Sequence, residues 1–172
     1  MKIPTKIFLI GPMGTGKSTI GKQLAATLKL DFVDSDAEIQ RRTGVDIPTI
    51  FEFEGEDGFR KREAAVIEEL SQKDHLVLAT GGGAVTVAEN RRNLAARGFV
   101  IYLQCSTQQQ YERTAKDKNR PLLDTDDPIA ALEQLMEARA PFYNEISDLV
   151  VSTEQRGASG VVREIISKIE SL

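Results

Sequence analysis

Short apolar runs alternate along the chain with longer segments whose apolar residues recur at helical spacing. The short runs cover 7–10, 32–33, 76–79, 99–103 and 149–151, and they are typical of strands that are covered on both faces. Each is followed by a segment with an apolar stripe, such as Ile20, Leu24 and Leu28. Strands that alternate with helices in this way predict an α/β fold with a parallel sheet and helices on both faces.

Breaker and capping residues place the predicted helices between these strands. We expect helices over 18–28, 36–42, 46–53, 89–97, 107–115, 129–143 and 161–169, and a longer helix after Gly58. Residues 116–128 are charged, contain two prolines and lack periodicity, so they predict a loop. No repeat or linker interrupts the pattern, and we expect a single domain over 1–172.

Composition narrows the classes of function. The chain has 172 residues, 41% hydrophobic and 28% charged, with a net charge of −4, which argues against general attraction to nucleic acid or an anionic membrane. Cys105 is the only cysteine, so no internal disulfide can form and a reducing compartment is favoured. The N-terminal apolar run is too short for a secretory signal. We therefore expect a cytoplasmic protein that is a monomer, with no nucleic-acid or membrane partner.

The stretch GPMGTGKS, residues 11–18, lies between the first predicted strand and the first helix. It fits the P-loop pattern, in which glycines turn successive N–H groups toward phosphate oxygens and the helix dipole adds positive potential. Lys17 would reach the β- and γ-phosphates, and the Ser18 hydroxyl would ligate Mg²⁺. The pattern predicts an ATP site at Gly14, Thr15, Gly16, Lys17, Ser18 and Thr19.

The sequence also indicates what kind of nucleotide enzyme this is. It has no Asn-Lys-x-Asp motif for reading guanine, and it is too short for a protein kinase. A small kinase with a small-molecule acceptor remains. Parallel sheets bind ligands at the carboxyl ends of their strands, where Asp34 and Asp36 follow the second run and Gly81, Gly82 and Gly83 follow the third.

Two interpretations stay open for these residues. Asp34 could hold Mg²⁺, and Asp36 could accept from a substrate hydroxyl, but Asp36 could also simply cap the next helix. The three glycines could let backbone approach a ligand, or they could form a flexible turn. Arg60, Arg120 and Arg139 could likewise bind anions or remain solvated, as most arginines do.

The motifs GPMGTGKSTIG, FVDSD, FRKRE, ATGGGAV, NRPLL and RAPFY, in this order, resemble those of shikimate kinases. The resemblance runs from about Lys6 to the final helix. It implies the fold of nucleoside monophosphate kinases, a three-layer α/β/α sandwich with a five-stranded parallel sheet in the order 2-3-1-4-5. It also implies that ATP phosphorylates shikimate to 3-phosphoshikimate, a step toward chorismate and the aromatic amino acids.

The resemblance further assigns expected roles to individual residues. The residues that would bind substrate are Asp36, Arg60, Gly81, Gly82, Gly83 and Arg139. The first two belong to a substrate-binding segment over about 36–63. Three residues would be catalytic: Asp36, Lys17 and Arg120. Asp36 would act as the base, and Arg120 would lie on a lid loop over 116–127. Glu63 would orient Arg60, Ser18 and Asp34 would hold Mg²⁺, and Arg113 and Arg156 would flank the adenine of ATP.

Two other functions compete with this interpretation. A kinase for another polyhydroxy acid, such as gluconate, would share the P-loop and would also need an arginine for the carboxylate. A nucleotide-dependent switch or adaptor would share the P-loop but would have no small acceptor. The combined Asp-x-Asp, Phe-Arg and Gly-Gly-Gly motifs argue against the first, and turnover that depends on an acid would argue against the second.

Overall fold

The computed structural model describes residues 2–115 and 120–172, so residues 116–119 of the predicted lid lie outside the described part of the chain. Its five strands are β1 (Lys6–Ile10), β2 (Asp31–Asp34), β3 (Leu76–Ala79), β4 (Phe99–Gln104) and β5 (Leu149–Ser152). They form a parallel sheet in the order β2-β3-β1-β4-β5. The predicted strand order is therefore confirmed.

Seven α-helices connect and cover these strands within the described residues. They are α1 (Lys17–Leu28), α2 (Ser35–Thr43), α3 (Ile47–Leu70), α4 (Ala88–Arg97), α5 (Thr107–Thr114), α6 (Pro128–Ile146) and α7 (Ala158–Glu170). Short 3₁₀ turns occur at Ala84–Thr86 and Pro121–Leu123. The second turn lies in the predicted loop over 116–128, and α6 runs three residues beyond its predicted end.

The core consists of two apolar clusters, one on each face of the sheet. Along β1, Ile7 and Leu9 face the cluster shared with α1 and α7, whereas Phe8 and Ile10 face the cluster shared with α3, α4 and α6. All four side chains are fully buried. This arrangement explains why β1 reads as a continuous apolar run, because alternate side chains of a parallel strand enter two different cores.

Helix α3 combines two segments that the sequence predicts as separate helices. Gly55 interrupts it with φ 71° and ψ 179°, a backbone conformation that L side chains rarely adopt. Across this break the Arg62 guanidinium forms two bonds of 2.7 Å to the Glu54 carboxylate. The predicted separation into two helical segments is therefore confirmed, and the break between them falls at Gly55.

The turn from β2 into α2 shows which of two aspartates caps the helix. Asp34 is the N-cap of α2, and its Oδ1 accepts from the N–H of Ala37 at 3.0 Å. The interpretation of Asp36 as the cap is therefore wrong, because Asp36 lies in the first turn of the helix. That position turns the Asp36 carboxylate toward the carboxyl edge of the sheet.

Among the described residues, no helix is both long and apolar enough to cross a membrane.

Candidate active site

The carboxyl edge of the sheet carries two adjoining cavities. The first, here the phosphate-side cavity, measures about 230 Å³ and is lined by the P-loop together with Asp34, Asp36, Thr80, Gly81, Gly82, Arg113, Thr114 and Arg120. The second, here the acid pocket, is lined by Met13, Asp36, Ile47, Phe51, Phe59, Arg60, Glu63, Gly81, Gly82, Gly83, Arg120, Pro121, Leu122 and Arg139. Asp36 and Arg120 belong to both linings, so these two charged side chains stand where the cavities meet.

The P-loop is built by a tight turn between β1 and α1. Gly11 has φ 139°, and a Cβ there would lie 2.3 Å from the Leu103 carbonyl oxygen, so a larger residue would clash with β4. The Lys17 ammonium donates to the carbonyl oxygens of Gly11 and Pro12, both at 2.7 Å. Burial, assisted by the Arg120 guanidinium, lowers the pKa of Lys17 from 10.5 to about 7. The predicted ATP ligands Gly14, Gly16, Lys17, Ser18 and Thr19 line the phosphate-side cavity, whereas Thr15 is buried behind it and donates to the Pro12 carbonyl at 3.1 Å.

The residues predicted to hold Mg²⁺ lie side by side. The Ser18 hydroxyl donates directly to Oδ2 of Asp34, and both side chains line the phosphate-side cavity. The described residues contain no cluster of three or more histidine, cysteine or acidic side chains arranged around a metal. Mg²⁺ needs no such cluster, because it is commonly held by one or two protein oxygens with phosphate and water completing the shell. The Ser18–Asp34 pair therefore fits this ion.

Two buried carboxylates meet at Gly81. Asp36 Oδ1 and Glu63 Oε2 are buried without a hydrogen-bond partner, and a Cβ on Gly81 would lie 2.8 Å and 2.9 Å from them respectively. Burial, followed by the charge of Asp34, raises the pKa of Asp36, while Arg120, Lys17 and Arg60 oppose this shift. Buried polar atoms normally have partners, so these two oxygens indicate that a ligand is expected there.

Glu63 also holds the Arg60 side chain in place through a buried ion pair. It is fully buried, and its Oε1 accepts from Nη1 of Arg60 at 2.9 Å. Burial raises the pKa of Glu63 to about 7, although Arg60 acts in the opposite direction. A second contact joins Arg60 to Glu56 at 3.2 Å, and the guanidinium lies 5.2 Å from the ring centroid of Phe59. These contacts hold the planar guanidinium of Arg60 at the mouth of the acid pocket.

Arg139 faces Arg60 across the glycine turn. Its side chain projects from α6 and is 5% exposed, and burial together with the charge of Arg60 lowers its pKa. A Cβ on Gly83 would lie 2.2 Å from Nη2 of Arg60 and 2.8 Å from Nη2 of Arg139. Two guanidinium groups thus converge on one point, an arrangement suited to the forked binding of a carboxylate.

The predicted adenine-binding arginines lie in different surroundings. Arg113 lines the phosphate-side cavity and donates to the Gly14 carbonyl at 3.0 Å and to the Thr153 carbonyl at 2.8 Å. Arg156 pairs with Glu164 of α7 at 2.9 Å and is not among the described residues that line the phosphate-side cavity. The structure therefore brings Arg113, but not Arg156, to the P-loop.

Sequence reasoning missed the apolar part of the acid pocket. Met13, Phe51 and Phe59 line it, and the rings of Phe51 and Phe59 lie 5.1 Å apart. The available signal was the position of Met13 within the P-loop, which places it at the carboxyl edge of β1. The two phenylalanines carry no such signal, because an apolar residue that faces a ligand has the same periodicity as one that faces the core.

The fold and the two cavities define a P-loop kinase that phosphorylates a small molecule. The family model for shikimate kinase matches residues 13–170. A shikimate kinase of Methylococcus capsulatus is 58% identical over 170 residues, covering 99% of this chain and 95% of that protein. The chain belongs to the shikimate kinase family.

Solved structures agree with this assignment. The shikimate kinase of Acinetobacter baumannii in complex with shikimate has a TM-score of 0.96 and 48% identity, covering 99% of this chain and 94% of that one. A gluconokinase from Sinorhizobium meliloti has a TM-score of 0.64 at 18% identity, covering 99% of this chain and 94% of that one. The gluconokinase likeness shows a shared fold alone.

Proposed function

We propose that this chain transfers the γ-phosphoryl group of ATP to the 3-hydroxyl group of shikimate, which yields 3-phosphoshikimate and ADP. This is a step in the synthesis of chorismate and the aromatic amino acids. Membership of the shikimate kinase family and the likeness to a kinase in complex with shikimate support it. The structural observation that carries it is that Asp36 and Arg120 line both cavities, because a phosphoryl group must cross between donor and acceptor there.

In this proposal the acid pocket binds shikimate by its carboxylate and hydroxyl groups. Arg60 and Arg139 hold the carboxylate through charge-assisted bonds, for which their converging guanidinium groups are suited. Asp36 and the backbone of Gly81, Gly82 and Gly83 bind the hydroxyls. The apolar wall of the pocket covers the ring, so binding combines a fixed charge at one end with a fixed hydroxyl at the other.

Asp36 then acts as the general base. Its unpartnered Oδ1 is available to accept the proton of the substrate hydroxyl, and its raised pKa brings it closer to the pH at which a base is effective. Phosphoryl transfer demands little covalent chemistry from the protein, so most of the rate comes from position and charge. Lys17 and Arg120 supply positive charge on either side of the transferring group.

We propose Mg²⁺ as the cofactor, held by Ser18 and Asp34. When bound, the ion would neutralise charge on the β- and γ-phosphates of ATP. Arg113 and Arg156 are proposed to flank the adenine. The segment over about 36–63 is proposed to bind substrate, and the loop over 116–127 to act as a lid that excludes water before transfer. Residues 116–119 of that loop lie outside the described part of the chain.

The remaining proposals concern the whole molecule. We propose that residues 1–172 act as one shikimate kinase domain, that the protein works as a monomer in the cytoplasm, and that its partners are the small-molecule substrates ATP and shikimate, with no nucleic acid and no membrane. The lone cysteine favours a reducing compartment, and the negative net charge argues against attraction to nucleic acid or an anionic membrane. Size-exclusion chromatography with light scattering measures the oligomeric state, and a mass near twice 19.0 kDa would contradict a monomer.

One experiment tests the function against its alternatives. ADP release is measured with the purified protein, ATP and Mg²⁺, in the presence of shikimate, quinate, gluconate or a nucleoside monophosphate, and the product is identified by mass. We expect release that depends on shikimate and a product heavier by one phosphate. Turnover with gluconate alone would favour the other acid kinase. Slow hydrolysis that no acceptor stimulates would favour a nucleotide switch.

A further inference from the structure

The glycine turn after β3 is held so that all three of its carbonyl groups are bonded to protein. The carbonyl oxygen of Gly81 accepts from the Ala84 N–H at 3.1 Å, and that of Gly83 accepts from the Thr86 N–H at 3.1 Å and from the Thr86 hydroxyl at 2.7 Å. Both of these partners belong to the turn itself. The carbonyl of Gly82 instead accepts from a side chain that comes from a distant helix.

That side chain is Tyr143 of α6. Its hydroxyl donates to the Gly82 carbonyl at 2.6 Å, and its ring is fully buried beneath the acid pocket. Arg139 lies one helical turn earlier on the same face of α6, and its guanidinium interacts with the same hydroxyl. The Tyr143 hydroxyl therefore connects the glycine turn to one of the two arginines of the acid pocket.

The bond to Gly82 also sets the direction of the next N–H group. The described residues contain no cis peptide bond, and the C=O and N–H of a trans peptide point in opposite directions. Since the Gly82 carbonyl points at the Tyr143 hydroxyl, the Gly83 N–H points away from it. A Cβ on Gly83 would face the guanidinium groups of Arg60 and Arg139, so the substrate-binding arginines lie close to this N–H.

We propose that Tyr143 is a positioning residue for substrate recognition, which aims the Arg139 guanidinium at the substrate carboxylate and keeps the Gly83 N–H turned toward the substrate. The inference rests on the proposed function, because it takes shikimate to be the acid that binds. Tyr143 touches neither substrate nor the reacting atoms in this proposal. It acts by holding these two donors in fixed positions relative to the glycine turn.

The test compares the effects of removing the hydroxyl groups of two tyrosines whose rings pack against each other. Tyr143→Phe removes the hydroxyl that bonds to Gly82 and keeps the ring that packs on Tyr102, whose centroid lies 4.9 Å away. Tyr102→Phe is the matched control, because the Tyr102 hydroxyl interacts with Gln104 and, at 3.9 Å, with the Met136 sulfur rather than with the glycine turn. Both variants lose one hydroxyl from one buried aromatic pair.

We expect Tyr143→Phe to raise the KM for shikimate by about tenfold, in line with the loss of one hydrogen bond from a binding site. The kcat and the KM for ATP should stay within about twofold of wild type, since the lost interaction acts equally on bound substrate and transition state. Tyr102→Phe should leave all three constants within about twofold. Equal KM values for shikimate in the two variants would overturn the proposal.

A second substrate separates positioning from general loosening of the structure. In the methyl ester of shikimate the carboxylate charge is absent, so Tyr143→Phe should lower kcat/KM about tenfold for shikimate but by less than about twofold for the ester. Equal losses for both would show a merely structural role. If Tyr143→Phe does not fold, the Gly83 amide signal of the wild-type protein is followed by NMR. It should shift when shikimate binds, and a signal that does not move would overturn the proposal.

The two hypotheses fail in different ways. If the wild-type protein does not phosphorylate shikimate, the proposed function is wrong. If wild type does so and both phenylalanine variants behave alike, the function stands and only the role of Tyr143 is wrong.

Discussion

Gly83 allows a direct test of the acid pocket, because an added methyl group would occupy the space of both guanidinium groups. The Cβ of an alanine would lie 2.2 Å from Nη2 of Arg60 and 2.8 Å from Nη2 of Arg139. Gly83 has φ −94° and ψ 2°, which alanine can adopt. The atoms in the way are the ends of flexible side chains, so we expect Gly83→Ala to fold and the arginines to move.

The size of the effect follows from these distances. Ordinary carbon contacts lie at about 3.5–4.0 Å, so the Arg60 guanidinium must retreat by more than about 1 Å. A shift of that size takes a hydrogen bond of ordinary length beyond its effective range. Losing one charge-assisted bond to the substrate carboxylate costs about 1.5–3 kcal/mol, which corresponds to a rise in the KM for shikimate of about 10- to 150-fold.

The assay measures kcat and both KM values by coupled ADP release, with thermal unfolding as the check on folding. The KM for ATP should stay within about twofold, since Gly83 is not among the described residues that line the phosphate-side cavity. Gly157→Ala is the control, because a Cβ there meets no atom within 4 Å. If Gly83→Ala retains both its melting temperature and the wild-type KM for shikimate, the two arginines do not bind the acid in the positions described.

Three further predictions concern single side chains. Asp36→Asn should abolish transfer while ATP still binds by calorimetry, and measurable turnover would exclude Asp36 as the base. Arg120→Ala should lower kcat by at least about 100-fold with little change in ATP affinity. A normal kcat would show that Arg120 does not have the proposed role in the lid. Burial raises the pKa of Glu63 from 4.5 to about 7, so its contribution to stability is complete below pH 4.5 and is lost as the pH rises through 7. Over this pH range, the free energy of unfolding of Glu63→Gln should therefore change by about 3 kcal/mol less than that of wild type. If the free energies of unfolding of the two proteins change in parallel with pH, the pKa of Glu63 is not raised.

The sheet could be predicted because its strands have both faces covered and therefore read as apolar runs. The P-loop could be predicted because its chemistry requires fixed residue types at fixed spacing. The break in α3 could be placed only between residues 53 and 58, because a glycine flanked by helical patterns does not fix where one helix ends and the next begins. The distinction between Asp34 as cap and Asp36 as a residue facing the pocket depends on where the helix begins, and boundaries are poorly specified by pattern alone.

The arginines of the acid pocket were accessible only through resemblance. Arg60 and Arg139 have no local feature that separates them from solvated arginines such as Arg41, which is on the surface and pairs with Glu38. What distinguishes them is the tertiary environment: Glu63 buried beneath one, and Tyr143 beside the other. Tyr143 reads as a core residue in the sequence, and its second role depends on a hydroxyl contact between residues 61 positions apart in the chain.

The glycine turn packs directly on the P-loop, since a Cβ on Gly82 would lie 3.3 Å from the Met13 nitrogen and 3.5 Å from the Gly11 oxygen. Backbone meets backbone at this seam, and Nη1 of Arg139 lies 3.4 Å from the same Cβ position. An enzyme engineer who inserts residues here to admit a bulkier acid would therefore push the nucleotide loop out of shape as well. Changes of acceptor preference are more readily made at Phe51, which lines the acid pocket, lies outside the seam and is only partly buried.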